Sequence, residues 1–196
     1  MLAAFLAVPS RMTASIAAAS PNSSGPNSSE PNSSDNSLSL FQKILLSTDG
    51  TVTDLVALYT GETIRVKKVE QSVATAMAPL LLGCAGPVKL LTRKILLSGA
   101  NKNYLYAESL FVFERFSPAI QEQLLNSDRP IGLLWRDARL ETYREVVDQR
   151  IEPCAAIAEH FDLPATARFV SRTYLIYHQG KPLGSITEKW PLSYFR

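Results

Sequence analysis

The pattern of polar and apolar positions changes with the composition at Leu38-Ser-Leu-Phe41. Phe41 to Leu46 is an apolar patch and Asp49-Gly50 is a turn. Thr51 to Tyr59 has the spacing of a short helix, closed by Gly61. Thr63 to Val69 alternates and predicts a strand; Ser72 to Leu82 predicts a helix, broken at Gly83 to Gly86. The clearest hairpin signal is Val88 to Ser98, a turn over Gly99 to Asn103, and a second strand from Tyr104 to Phe113. Ser117-Pro118 sets a cap and a first-turn proline for a helix reaching about Leu125. Arg129-Pro-Ile-Gly132 starts another short helix that runs through Trp135. Leu140 to Ile151 fits a strand, and Cys154 to Phe161 a helix stopped by Asp162-Leu-Pro164. A last hairpin joins Phe169–His178 to Pro182–Trp190 through Gln179-Gly180. Several of these strands are joined by loops too short for parallel crossovers. The pattern therefore predicts an α+β domain, an antiparallel sheet with helices packed on one side.

Ahead of that domain the pattern is absent. Residues 21–35 repeat Pro-Asn-Ser-Ser-Gly, Pro-Asn-Ser-Ser-Glu and Pro-Asn-Ser-Ser-Asp. Nothing in them can enter a core, and each proline withholds a backbone donor, so residues 1–38 are expected to be a disordered leader and 39–196 the folded domain. Asn22, Asn27 and Asn32 formally match glycosylation acceptors, which matters only for a secreted chain. The apolar start, Met1 to Pro9, lacks the positive residues of a signal peptide, and Arg11 is the only arginine before residue 40. A cytoplasmic location is the expectation.

Composition narrows the function classes. Apolar residues make up 46% of the 196, enough for a sizeable core. The net charge of +2 calls for neither nucleic acid nor a membrane as partner, and the basic runs Arg65-Val-Lys67-Lys68 and Lys89 to Lys94 read as solvated strand faces. Cys84 and Cys154 read as small buried residues, with no sequence signature tying either to His160 or His178 as a catalytic base or as a metal set. Neither a nucleotide-binding glycine loop, a Gly-x-Ser-x-Gly elbow nor a His-Glu-x-x-His motif occurs. No cofactor and no metal are expected.

Alternation singles out two charges. Arg93 shares a strand face with Leu91, Ile95 and Leu97, whereas Lys94 falls opposite with Thr92 and Leu96. Glu188 shares a face with Gly184, Ile186 and Trp190. A charge on an apolar face must be paired, hydrogen-bonded or functional. One reading is a structural salt bridge or an exposed strand face. The other is a pocket in which Arg93 holds a ligand carboxylate through its planar fork and Glu188 meets the ligand's polar far end.

The stretches Thr92-Arg93-Lys94-Ile95-Leu96-Leu97, Arg129-Pro-Ile131-Gly132, and Gly180-Lys-Pro-Leu183 with Ile186-Thr187-Glu188-Lys189-Trp190-Pro191 resemble, in order and spacing, the chorismate lyase family. Tyr104-Leu-Tyr-Ala-Glu-Ser109 is similar to its cyanobacterial and plastid branch. The resemblance covers residues 41 to 191. It implies a chorismate lyase-like fold with an enclosed ligand cavity, and a cofactor-independent enzyme that converts chorismate to 4-hydroxybenzoate and pyruvate for quinone biosynthesis, plastoquinone among the products served. It implies a monomer, in the chloroplast if the source is algal. Carried over by motif, Arg93 and Glu188 are the catalytic pair, with Arg93 on a carboxylate and Glu188 at the end that becomes the phenol. Ile131, before Gly132, falls where a backbone amide meets ligand carboxylate. Val52 falls near a methionine that lines the ligand in the enterobacterial form. Glu108 departs from an enterobacterial arginine, which puts a second charge contact in doubt. The effector-binding domains of one class of bacterial transcription regulators resemble the same fold, so a non-catalytic small-acid binding domain is the alternative. A purely structural protein is the third class.

Overall fold

The computed structural model describes residues 38–127 and 129–196. The leader, with its repeats and with Asn22, Asn27 and Asn32, lies outside the described residues apart from Leu38, which packs against the main core. Among the described residues no helix is long and apolar enough to cross a membrane.

Among the described residues two helices come first, α1 (Leu40–Ser47) and α2 (Val52–Thr60). The apolar patch after Ser39 is helical because Ser39-Leu-Phe-Gln42 is a reciprocal capping box: Gln42 N–H donates to Ser39 Oγ at 3.1 Å and Ser39 N–H to Gln42 Oε1 at 2.9 Å. The buried Gln42 amide also donates to the carbonyls of Leu192 and Tyr194, which ties α1 to the end of the chain.

Strands β1 (Arg65–Met77), β2 (Pro87–Ser98) and β3 (Asn103–Val112) follow. Then come α3 (Pro118–Asn126), α4 (Ile131–Asp137), β4 (Tyr143–Pro153), a single turn α5 (Ala155–Ala158), and the hairpin β5 (Arg168–His178) and β6 (Lys181–Pro191). The six strands form one antiparallel sheet in the order β1-β2-β3-β6-β5-β4. The hairpin turn uses Gln179 and Gly180 at φ 49° and 74°, the left-handed conformations that a two-residue connection needs.

The helix expected over Ser72 to Leu82 is corrected. Residues 72–77 continue β1 and pair with Pro87 to Thr92 of β2, and only Leu80–Leu82 makes a 3-10 turn. A bulge between Lys68 and Glu70 explains the misreading. It moves the inward positions from Val66 and Lys68 to Gln71 and Val73, so strict alternation is lost and the alanines and methionine mimic a helix.

Helices α1 to α4 cover one face of the sheet, with Leu45, Val56, Leu124 and Trp135 packed on Leu91, Phe111, Val170 and Trp190. The reverse face is not bare, contrary to the one-sided expectation. Ile157, Ala158 and Phe161 cover Leu96, Tyr106 and Phe169 at one end, and Leu82 covers Leu90, Val112 and Leu175 at the other.

One glycine is dictated by this packing. A Cβ on Gly184 would stand 2.8 Å from Phe111 Cα, with the Leu110 carbonyl oxygen nearer still. Gly184→Ala is expected to lower stability by about 1–3 kcal/mol, the usual cost of overpacking, read as the shift of a urea unfolding curve with unchanged slope. An unshifted curve would mean that β3 and β6 part easily there.

Candidate functional site

The site arises from residue size along β3. On the helix-covered face its side chains run Leu105, Ala107, Ser109, Phe111. The large residues fill the core at both ends; Ala107 and Ser109 leave a gap above the middle of the sheet. The gap is a cleft enclosing about 600 Å³ between protein atoms, its mouth included, of which about 70 Å³ admits the centre of a water molecule. It is a narrow slot, neither sealed nor flat, which corrects the expected enclosed cavity. Its floor is apolar: Ile95, Leu97, Leu105, Ala107 and Ile186.

Register sets the charges. Arg93 pairs with Ser109, which pairs with Ile186, which pairs with Tyr174. The next inward rung is Ile95, Ala107, Glu188, Arg172. Arg93 and Glu188 thus stand on neighbouring rungs with one strand between them, roughly 12 Å apart at the backbone from ordinary sheet spacings. Both are buried, at 2% and 6% exposure, and both line the cleft. Arg93 Nη2 donates to the Arg129 carbonyl at 3.3 Å, and Ser109 Oγ to the Arg93 carbonyl at 3.2 Å.

The rim comes from two helix starts. Gly50, Thr51 and Val52 lead into α2, and Pro130, Ile131 and Gly132 into α4; all six line the cleft. The starts pack together, since a Cβ on Gly132 would lie 3.4 Å from Thr51 Cγ2. The amides of Ile131 and Gly132 belong to the first turn, where helix geometry supplies no acceptor. The four elements therefore bring Arg93, Glu188, Ile131, Gly132 and Val52 to one place. Glu108 is not among them: it lies on the reverse face, across from Lys94, so its charge does not face the cleft. Lys94 pairs with Glu70 at 2.8 Å.

The Glu188 end holds groups that the pattern reading did not single out. Arg172, fully buried, donates from Nε to Glu188 Oε2 at 2.7 Å and from Nη1 to the Thr48 carbonyl at 2.7 Å. The Tyr174 hydroxyl donates to Glu188 Oε1 at 3.1 Å. Burial, and after it the charge of Glu188, pushes this phenol well above its ordinary range, so it stays protonated and a donor. The Tyr174 ring lies 5.0 Å from the Arg172 guanidinium and 5.5 Å from that of Arg144. Arg144 in turn donates to the carbonyls of Asp49 and Gly50 at the rim. Alternation over Phe169–His178 already groups Arg172 with Val170, Tyr174 and Ile176, a signal of the same kind as the one at Arg93.

Cys84 and Cys154 are half-buried thiols away from the cleft. Arg115 donates to Cys84 Sγ at 3.3 Å, and Lys189 Nζ lies 3.7 Å from Cys154 Sγ. His160 stacks on Tyr106, and His178 Nδ1 meets the Glu141 carbonyl at 2.8 Å. Neither histidine lines the cleft.

Three comparisons place the chain among known proteins. The solved structures similar to it include PhnF from Mycobacterium smegmatis, at TM-score 0.59 and 14% identity over 74% of this chain and 65% of that one. The chain thus spans a little under two thirds of PhnF. The effector domain of PhnF matches at 0.56 and 15% over 72% of this chain and 88% of that one. A GntR-family transcriptional regulator from Bacillus cereus matches at 0.55 and 11%, over 68% and 94%. These similarities show the fold, that of GntR-family effector domains, and correct the expected chorismate lyase-like fold.

The enzyme that the same resemblance implied, a cofactor-free lyase that forms 4-hydroxybenzoate and pyruvate for plastoquinone or another quinone, is corrected with it. Both Glu188 oxygens already accept hydrogen bonds from the protein, from Arg172 Nε and from the Tyr174 hydroxyl. The assignment to the cyanobacterial and plastid branch is corrected as well. A chorismate pyruvate-lyase from Mycobacterium tuberculosis is 28% identical over 79% of this chain and 81% of its own length, and one from Mycobacterium leprae 34% identical over 79% and 75%. The family model for chorismate pyruvate-lyase Rv2949c-like proteins matches residues 46–196. By that match the chain belongs to the Rv2949c-like chorismate pyruvate-lyase family, carried on an effector-domain fold.

Proposed function

We propose that this domain binds a small aromatic acid in the cleft as a non-catalytic sensing module. Arg93 takes the ligand carboxylate in a charge-assisted, two-pronged contact, helped by the amides of Ile131 and Gly132. The ring lies over Ile95, Ala107 and Ile186, with Val52 at the rim, and Glu188 accepts from the ligand's far end. The observation that carries this reading is that a buried cation and a buried anion, Arg93 and Glu188, both line one cleft with an apolar floor. Similarity to the PhnF effector domain supports binding over turnover. We propose that the site works within a monomer.

Titration calorimetry with 4-hydroxybenzoate, beside an assay for pyruvate released from chorismate, tests this. Saturable one-site binding is expected, with no pyruvate above the uncatalysed rate. Pyruvate release by the protein overturns the non-catalytic reading, and absence of binding by either compound overturns the pocket.

A further inference from the structure

We infer that Arg172 and Tyr174 are positioning residues that make the Glu188 end of the cleft selective for a ligand carrying a hydrogen-bond donor. The inference rests on the proposed function and concerns the same site. A carboxylate has two oxygens and about four lone-pair directions. Here Oε2 accepts from Arg172 Nε and Oε1 from the Tyr174 hydroxyl, one direction each. The directions left over are fixed, because neither donor can move freely. Arg172 is held at its other end by the Thr48 carbonyl, and the Tyr174 ring lies beside the guanidiniums of Arg172 and Arg144.

The cleft therefore meets a carboxylate acceptor held in one orientation. A phenol hydroxyl or an aromatic amine completes it. A hydrogen at that position leaves a buried acceptor partly unsatisfied. Arg172 reaches the rim as well as the floor: the carbonyl it holds lies in the loop that leads to Thr51 and the start of α2. Lysine has one point of charge where arginine has a fork, so it cannot serve both contacts in this geometry.

The test is the ratio of two affinities, for 4-hydroxybenzoate and for benzoate, measured by calorimetry on the full chain and on Tyr174→Phe and Arg172→Lys. Tyr174→Phe keeps the ring and its volume, so it separates positioning from folding. The full chain should prefer the hydroxylated acid by roughly tenfold or more, the scale of one buried hydrogen bond. Each variant should bring that ratio close to one, with the affinity for 4-hydroxybenzoate falling more than that for benzoate. A merely structural role lowers both affinities together and leaves the ratio standing; that result overturns the inference while the proposed function survives. If the full chain binds neither acid, the proposed function falls and the inference with it.

Discussion

Arg93→Ala is expected to weaken 4-hydroxybenzoate binding on the order of 100-fold, the scale of a charge-assisted hydrogen-bonded pair lost from a buried site. Arg93 is 2% exposed and lines an apolar cleft, where screening by water is weak. Its Nη2 also donates to the Arg129 carbonyl, one residue ahead of Pro130, so the side chain steadies the segment that presents the Ile131 and Gly132 amides. Arg93→Lys should recover part of the loss, since the charge returns without the planar fork. Calorimetry on all three proteins gives the comparison, with far-ultraviolet circular dichroism showing that each is folded. Equal affinities in folded proteins would remove Arg93 from the site.

The two charges that break an apolar face were legible because β2 and β6 are regular where those charges sit. Neither strand carries a bulge near them, so period-two reading puts Arg93 and Glu188 on the inward face without any coordinates. The edge strands defeat the same rule. In β1 the shift between Lys68 and Glu70 disguised a strand as a helix. In β4 a shift between Val146 and Asp148 puts Arg144 and Val146 on the same face as Gln149 and Ile151. Straight alternation back from Ile151 sends Arg144 to the other side, so its place on the cleft could not be read. Bulges belong at sheet edges, where they blunt unpaired backbone, so the edges are where pattern reading should be least exact.

Arg172, behind Glu188, and Tyr174, on the cleft, were hidden for a different reason. Their strand is regular over Val170 to Ile176, and the face was readable. What could not be read is that Arg172 lies directly across from Glu188. That pairing follows from the register of the last hairpin, which a further shift between Ile176 and Tyr177 sets. The gap above Ala107 and Ser109 is hidden in the same way. Small residues mid-strand mean a cavity only when the opposite layer leaves the space open, and that depends on where α2 and α4 begin.

The second large effect is on stability. Glu188→Ala is expected to cost about 3–5 kcal/mol, because it strands the Arg172 guanidinium in the core. Arg172 is fully buried, and its Nη2 has no hydrogen-bond partner among the described residues. Without Glu188 the Thr48 carbonyl remains as its described hydrogen-bond acceptor, a weak substitute for a carboxylate at 2.7 Å. The Tyr174 hydroxyl loses its acceptor too. Glu188→Gln should cost less, since an amide oxygen can still accept from Arg172, though without opposite charge. The decisive comparison is the double variant Arg172→Met with Glu188→Leu. Replacing both partners with apolar groups of similar volume removes the stranded charge, so most of the stability lost in Glu188→Ala should return. Urea unfolding of the four proteins measures this, and calorimetry on the same samples should show the double variant no longer distinguishing 4-hydroxybenzoate from benzoate. A double variant as unstable as Glu188→Ala would mean that the pair holds the fold together. Recovery of stability with loss of selectivity would show that this buried pair is kept for the ligand, at no net gain to the fold.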